Sequence, residues 1–312
     1  MKPGDALLTE EIRQSLISFQ EDLALPGIQS PGNSTCLIQQ IVDSTKRIKY
    51  ISAIKERAIS PLCINPNELC FNPLKAAIWH QRNNSPDEAF WLVFLFTHFG
   101  KNKRTGWQLI RDIYRGPGNG LNWTWANITH DPENFLLWLE QNRQEIRHNG
   151  SFGNHRKYES LNAYSPNGTG SAIVSYINWV QGPLFSHEVK INNIINQFGD
   201  NPRELFARLY QSMNSVARFG RTGRFDYLTM IGKLGLANIE PDSTYMDGAT
   251  GPLSGARLLF GGAKDSIIRK NELHEMLVAL EAHLGLYFGM QVLEDALCNW
   301  QKSPGAYEYY SG

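Results

Sequence analysis

Arg218-Phe219-Gly220-Arg221-Thr222-Gly223-Arg224 gathers three arginines and two glycines into seven residues with no acid among them. Glycine lets a backbone approach its ligand closely and arginine offers a planar fork of donors, so the stretch suits a polyanion. Tyr227-Leu228-Thr229-Met230-Ile231 through Leu236 reads as a compact helix starting near Phe225, whose amino end adds a partial positive charge beneath the turn. A plainer reading stays open, in which a glycine ends the preceding helix and the arginines form an exposed basic turn. Two carboxylates stand one helix downstream, Asp242 after Pro241 and Asp247 before Gly248.

Outward from this stretch the pattern is helical almost throughout, and alternating strand-like runs are scarce. Thr9 to Leu23 places Ile12, Leu16 and Phe19 on one face, and Cys36 to Ala58 repeats apolar residues through Ile38, Ile41, Val42, Ile48, Ile51 and Ile54. Ser85-Pro86-Asp87-Glu88 starts a helix by cap, proline and dipole, and Asp131-Pro132 and Asn201-Pro202 open others that run to about Arg147 and Ala217. Ile267 to Met290 reads as one long helix with a possible break near Gly285, and residues 302–312, rich in Gly, Ser, Pro and Tyr, read as a surface tail. The expected fold is all-α, with residues 1–312 forming one continuous two-lobed helical unit.

Lysine plus arginine equals aspartate plus glutamate at 30 each, which excludes a global basic field. Contact with nucleic acid must therefore come from local clustering. Ala89 to Phe96 is the longest apolar run, far short of the roughly 20 residues that span a bilayer, and reads as a buried core helix. The acids Asp5, Glu10, Glu11 and Glu21 argue against a leader, so a cytoplasmic protein without membrane contact is expected. Cys36, Cys63, Cys70 and Cys298 lack the spacing of a zinc ribbon, and His274-Glu275 lacks the second histidine of a zinc helix. Neither metal nor cofactor is expected.

Three further segments carry candidate chemistry. Asn149 to Gly170 is long and almost free of aliphatics, and Asn154, His155, Arg156, Lys157 and Tyr158 supply an aromatic and several donors suited to a flipped base. Lys101, Lys103, Arg104, Arg111 and Arg115 form a basic stretch in which Arg104, Arg111 and Arg115 share a helical face, as either a DNA-backbone contact or a solvated surface. Trp123 and Trp125, after the loop Gly116-Pro117-Gly118-Asn119-Gly120, fit either an aromatic wedge or a buried pair.

From Asn201 to Gly262 the chain resembles the helix-hairpin-helix DNA glycosylases, in which a glycine-bearing hairpin grips the DNA backbone and a catalytic aspartate caps a later helix. The resemblance implies that residues 201–262 are a helix-hairpin-helix-like catalytic segment. Arg218, Gly220, Arg221, Gly223 and Arg224 would hold the backbone, and Asp247, with Asp242 in reserve, would be the catalytic acid. No lysine stands in the hairpin, which implies base removal without strand cutting. Phe90-Trp91-Leu92 to Phe99, Phe152 to Leu161, Gly220 to Leu236 and Gly248 to Gly262 are similar to a branch of that group, the alpha-glutamyl/putrescinyl thymine pyrophosphorylase-like families. This similarity implies DNA as partner and a hypermodified phage pyrimidine, such as glucosylated hydroxymethylcytosine, as target, in anti-phage defence. A transferase that displaces pyrophosphate and a non-enzymatic modified-DNA binding module remain the alternatives.

Overall fold

Six of the α-helices among the described residues begin with proline, where its missing N–H is no loss and its fixed φ is already helical. The structure, a computed structural model, describes residues 3–182 and 184–310. In chain order its helices are α1 (Pro3–Asp22), α2 (Pro31–Glu56), α3 (Pro73–Arg82), α4 (Pro86–Phe99), α5 (Gln108–Arg115), α6 (Trp125–His130) and α7 (Pro132–Asn149). There follow α8 (Thr169–Val180), α9 (His187–Phe198), α10 (Pro202–Ser212), α11 (Arg221–Leu234), α12 (Thr250–Gly261), α13 (Lys270–Leu284) and α14 (Gly289–Trp300). Among the described residues there is no strand, only an isolated bridge between Asn102 and Gly106. The fold is all-α, as the periodicity predicts.

The cap chemistry is legible in detail. Asn72 accepts from the Lys75 N–H at 3.1 Å, Asp131 from that of Asn134 at 3.0 Å, and Asn201 from those of Arg203 and Glu204 at 3.1 Å each. Each bond satisfies a donor that the helix start leaves without a partner. Ser85 makes no such side-chain bond, so α4 relies on Pro86 and the acids Asp87 and Glu88.

The chain divides into two compact units, residues 1–52 with 241–312, and residues 53–240. One boundary falls inside α2 and the other at Glu240/Pro241, within the 201–262 segment. In the first unit Ile12, Leu16, Leu37, Ile41, Leu259, Leu277, Leu293 and Trp300 form an apolar core. Gly27 lies so close to α12 that a Cβ there would stand 2.1 Å from the Leu258 carbonyl oxygen, so only glycine fits. Of the expected 302–312 tail, residues 302–310 are described; they are mostly exposed but tied to α2: Tyr307 Oη donates to Asp43 at 2.5 Å and Gln40 Nε2 to the Glu308 carbonyl at 2.8 Å.

In the second unit α4 is the centre, and Ala89 to Leu95 are all at most 2% exposed. The apolar run is a core helix, as its length predicts. The helix expected over Ile267–Met290 breaks at the residue singled out for it: Gly285 adopts φ +58° and ends α13, and α14 begins at Gly289 and runs on to Trp300. No single helix among the described residues is long and apolar enough to cross a membrane; α13 and α14 pass such a test only together and are bent by 114°.

Candidate functional site

Residues 218–220 of the basic stretch form the turn that leads into α11, and residues 221–224 form the first turn of that helix. α11 begins at Arg221, four residues before the predicted position; Gly220 is its N-cap with φ −66°, and Gly223 lies within the helix. The left-handed residue is Arg218, at φ +63°. Its guanidinium grips Glu159 through both arms, Nε to Oε2 at 2.8 Å and Nη2 to Oε1 at 3.1 Å.

That pair joins the two segments singled out from sequence. The loop after α7 is clamped to the end of α4: the Gly153 N–H donates to the Phe99 carbonyl at 2.8 Å and Asn102 Nδ2 to that of Phe152 at 2.8 Å. A Cβ on Gly153 would stand 2.9 Å from the Gly100 carbonyl carbon, so the close approach requires glycine. The loop turns through Asn154–Arg156 and carries Arg156 to α11, where its Nη2 lies 3.3 Å from Asp226 Oδ2. Its Nη1 is 3.6 Å from where a Cβ on Gly223 would stand.

Asp226, the one acid between Glu204 and Glu240, carries no local sequence signal that marks it as a site residue. Its side chain is 49% exposed. Burial nevertheless pushes its pKa up, while Arg156, Lys233, Arg221 and His155 pull the other way. A carboxylate whose pKa is raised in spite of neighbouring basic groups marks a functional site more often than a plain surface pair.

Other candidates are placed differently from expectation. Arg224 turns back on α10, stacking 4.2 Å from the Tyr210 ring centre and donating to Asn214 and to the Tyr210 carbonyl. Arg111 is buried beside Asp112, so it cannot reach a phosphate, whereas Arg104 is exposed in the Asn102–Gly106 turn outside α5. Trp123 and Trp125 are 2% and 5% exposed, and Trp125 donates its indole N–H to the Phe185 carbonyl at 2.8 Å. A wedge must stand free to enter a base stack, so here the buried reading holds. Asn154, His155, Lys157 and Tyr158 are exposed, Tyr158 by 83%, and form an outer surface rather than the walls of a closed pocket.

Asp242 and Asp247 belong to the first unit. Asp247 is not the cap of α12, whose N-cap is Ala249; its side chain is 90% exposed and pairs with Lys270 Nζ at 2.5 Å. Asp242 is half-buried and accepts from the Tyr245 hydroxyl at 2.6 Å.

A buried polar chain, not anticipated from sequence, crosses the second unit. His187 Nδ1 lies 2.7 Å from Asp87 Oδ1, His187 Nε2 lies 2.6 Å from the Tyr176 hydroxyl, and that oxygen lies 2.6 Å from the Tyr227 hydroxyl. Burial lowers the His187 pKa against the pull of Asp87, so the imidazole is neutral and the directions follow. His187 Nδ1–H donates to Asp87, the Tyr176 hydroxyl donates to Nε2, and the Tyr227 hydroxyl donates to Tyr176. Burial would raise the Asp87 pKa, but the bonds from His187 outweigh it and hold the carboxylate below its ordinary range. Next to it, burial pushes Glu88 up to about 7 although Tyr114 and the Trp125 N–H donate to it. Asp87 and Glu88 border a cavity of about 820 Å³.

Comparison with curated proteins and with solved structures finds no match. A family model described as alpha-glutamyl/putrescinyl thymine pyrophosphorylase clade 3 matches residues 32–312, and the chain therefore belongs to that family, one of enzyme type named for modified thymine.

Proposed function

We propose that this protein is a monofunctional DNA glycosylase that flips a hypermodified pyrimidine out of phage DNA and hydrolyses its N-glycosidic bond, leaving an abasic site. The observation that carries the reading is the convergence of the loop after α7 on the start of α11. It concentrates Arg156, Arg221, Lys233 and His155 within electrostatic reach of one half-exposed carboxylate, Asp226. Such a cluster suits a phosphate or the polar adduct of a modified base.

The bond breaks through an oxocarbenium-like sugar, and a carboxylate near that cation lowers the barrier by preorganised charge. The pyrimidine departs with the bonding electrons and takes up a proton from solvent; water then adds to C1′ and gives its own proton to a carboxylate or to solvent. Of the two acids singled out from sequence, Asp242 has the better setting. The half-buried Asp242 carboxylate is oriented by Tyr245, whereas Asp247 lies exposed in high dielectric against a lysine. Arg221 serves the phosphate, and the exposed Asn154, His155, Lys157 and Tyr158 serve the strand beside the modified base.

The family description favours a second reading, transfer of an amine onto an activated base with loss of pyrophosphate. Product analysis on modified DNA separates the two. Free base with aldehydic sites supports the glycosylase, whereas an amine-linked base with released pyrophosphate supports the transferase.

A further inference from the structure

The loop after α7 is built as a rigid support, and yet it holds two aromatic rings outside the protein. Leu161 and Ala163 are 4% and 3% exposed and anchor it from within. Asn162 Oδ1 accepts from the N–H groups of Tyr164 and Ser165 at 3.0 and 2.7 Å, and the Ser160 carbonyl accepts from both the N–H and the hydroxyl of Thr169. A floppy connector would lack these ties. On either side of the anchors Tyr158 is 83% and Tyr164 59% exposed. Lys157 Nζ sits 5.1 Å from the Tyr158 ring centre, which limits the ring's freedom and adds positive charge at its face.

The surroundings are cationic. Lys157 adjoins Tyr158 and lies over its ring, Arg156 beside it is paired with Asp226, and the one acid from Asn149 to Gly170, Glu159, is already neutralised by Arg218. Exposed aromatic rings among cations form the surface on which unpaired bases stack, because every base has a π-face while its backbone seeks positive charge. A paired base presents that face only to its neighbours in the duplex. Tyr158 is also too exposed to wall a closed base pocket.

We infer that Tyr158 and Tyr164 form a stacking platform for unpaired bases of a DNA strand, so that the protein engages a locally single-stranded stretch beside the modified base. This rests on the reading that the ligand is DNA, and it names the form of DNA taken.

The test is fluorescence anisotropy with a labelled single-stranded oligonucleotide and the matching duplex, using the full chain and the variants Tyr158→Ala, Tyr164→Ala, Tyr158→Phe and Tyr164→Phe. Both side chains are exposed, so the variants are expected to fold, which circular dichroism checks. The wild type should bind the single strand more tightly than the duplex. Each alanine variant should lose roughly 5- to 100-fold on the single strand and less than about twofold on the duplex, with phenylalanine restoring the single-strand affinity. Equal binding of the two forms, equal losses on both, no loss with alanine, or no binding to either would overturn the platform. A separate excision assay distinguishes the two claims. Base release with tyrosine-independent binding sinks only the platform, and tyrosine-dependent single-strand binding without base release sinks only the glycosylase.

Discussion

Arg218 and Glu159 stand 59 residues apart in sequence and meet through two hydrogen bonds of 2.8 and 3.1 Å. This pair couples the exposed basic loop to the approach to α11. Glu159 is 11% and Arg218 28% exposed at the side chain, so the contact is better shielded than a surface ion pair. Removing one arm leaves a partly buried charge without its partner. Arg218→Ala or Glu159→Gln should destabilise the protein by about 2 kcal/mol in urea unfolding, and Arg218→Lys, which lacks the fork, should recover less than half of that. Unchanged midpoints in these variants would show the loop to be held by other means.

The chain from Asp87 to Tyr227 makes an ordered pair of predictions. Tyr227→Phe removes the terminal donor and should cost about 1 kcal/mol, because the Tyr176 oxygen keeps its bond to His187. Tyr176→Phe strands two buried groups, His187 Nε2 and the Tyr227 hydroxyl, and should cost about 2–3 kcal/mol. Equal losses in the two would contradict the direction assigned to the chain.

Buried histidine sets an acid limit. Burial, with help from Arg156 and Arg218, pushes the His98 pKa from 6.5 down to about 3. Between those values the unfolded chain takes up a proton that the folded protein refuses, so stability falls as pH drops across the window. The slope from this one group approaches about 1.4 kcal/mol per pH unit. His187, also lowered, acts with the same sign, and Asp87 loses its contribution as pH falls through its depressed folded pKa. Glu88 opposes them, since from 4.5 to about 7 the folded protein holds the extra proton. Guanidinium titrations from pH 7 to pH 4 should therefore show a shallower loss for His98→Gln than for the wild type, and identical slopes would remove His98 from the account.

Helix starts were the most legible feature, because proline, cap residue and acidic first turn act locally and leave a residue-level signature at Pro86, Pro132 and Pro202. The apolar run of α4 likewise announced a core helix. The start of α11 was misplaced because a glycine-arginine sequence fits a phosphate-gripping turn and a helix amino end equally well, and tertiary ties such as Arg218 to Glu159 decide between them. α3, α6, α8 and α9 carry no legible helical period, since a helix of only 6–12 residues spans too few turns to establish one, whether polar like α9 or apolar like α8. The candidate site was half legible. Arg156 and Arg221 were singled out, but Asp226 looked like an ordinary surface acid until the loop brought Arg156 within 3.3 Å of it. The Asp87 chain joins residues up to 100 positions apart, which no local pattern reports.

Arg221 tests the electrostatic half of the function. Replacing it with alanine should weaken binding to all DNA sequences alike and lower the slope of log affinity against log salt by about 1. Anisotropy titrations across a salt series read this directly, and a loss confined to one sequence would show that the residue reads bases.

The acids test the chemical half. Asp242→Asn should reduce base release by about 100-fold or more while leaving binding intact, whereas Asp247→Asn should remain within a few-fold of wild type. The reverse pattern in a single-turnover assay would transfer the role to Asp247, and loss only in Asp226→Asn would transfer it to Asp226.

The most direct measurement is mass spectrometry of the products after incubating the pure protein with phage genomes of differing pyrimidine chemistry, alongside trapping of aldehydic sites. The account predicts release of the free modified pyrimidine, with one abasic site formed for each base lost and the strand left uncut. Modified DNA recovered unchanged, or an amine-linked base appearing together with pyrophosphate, would contradict it.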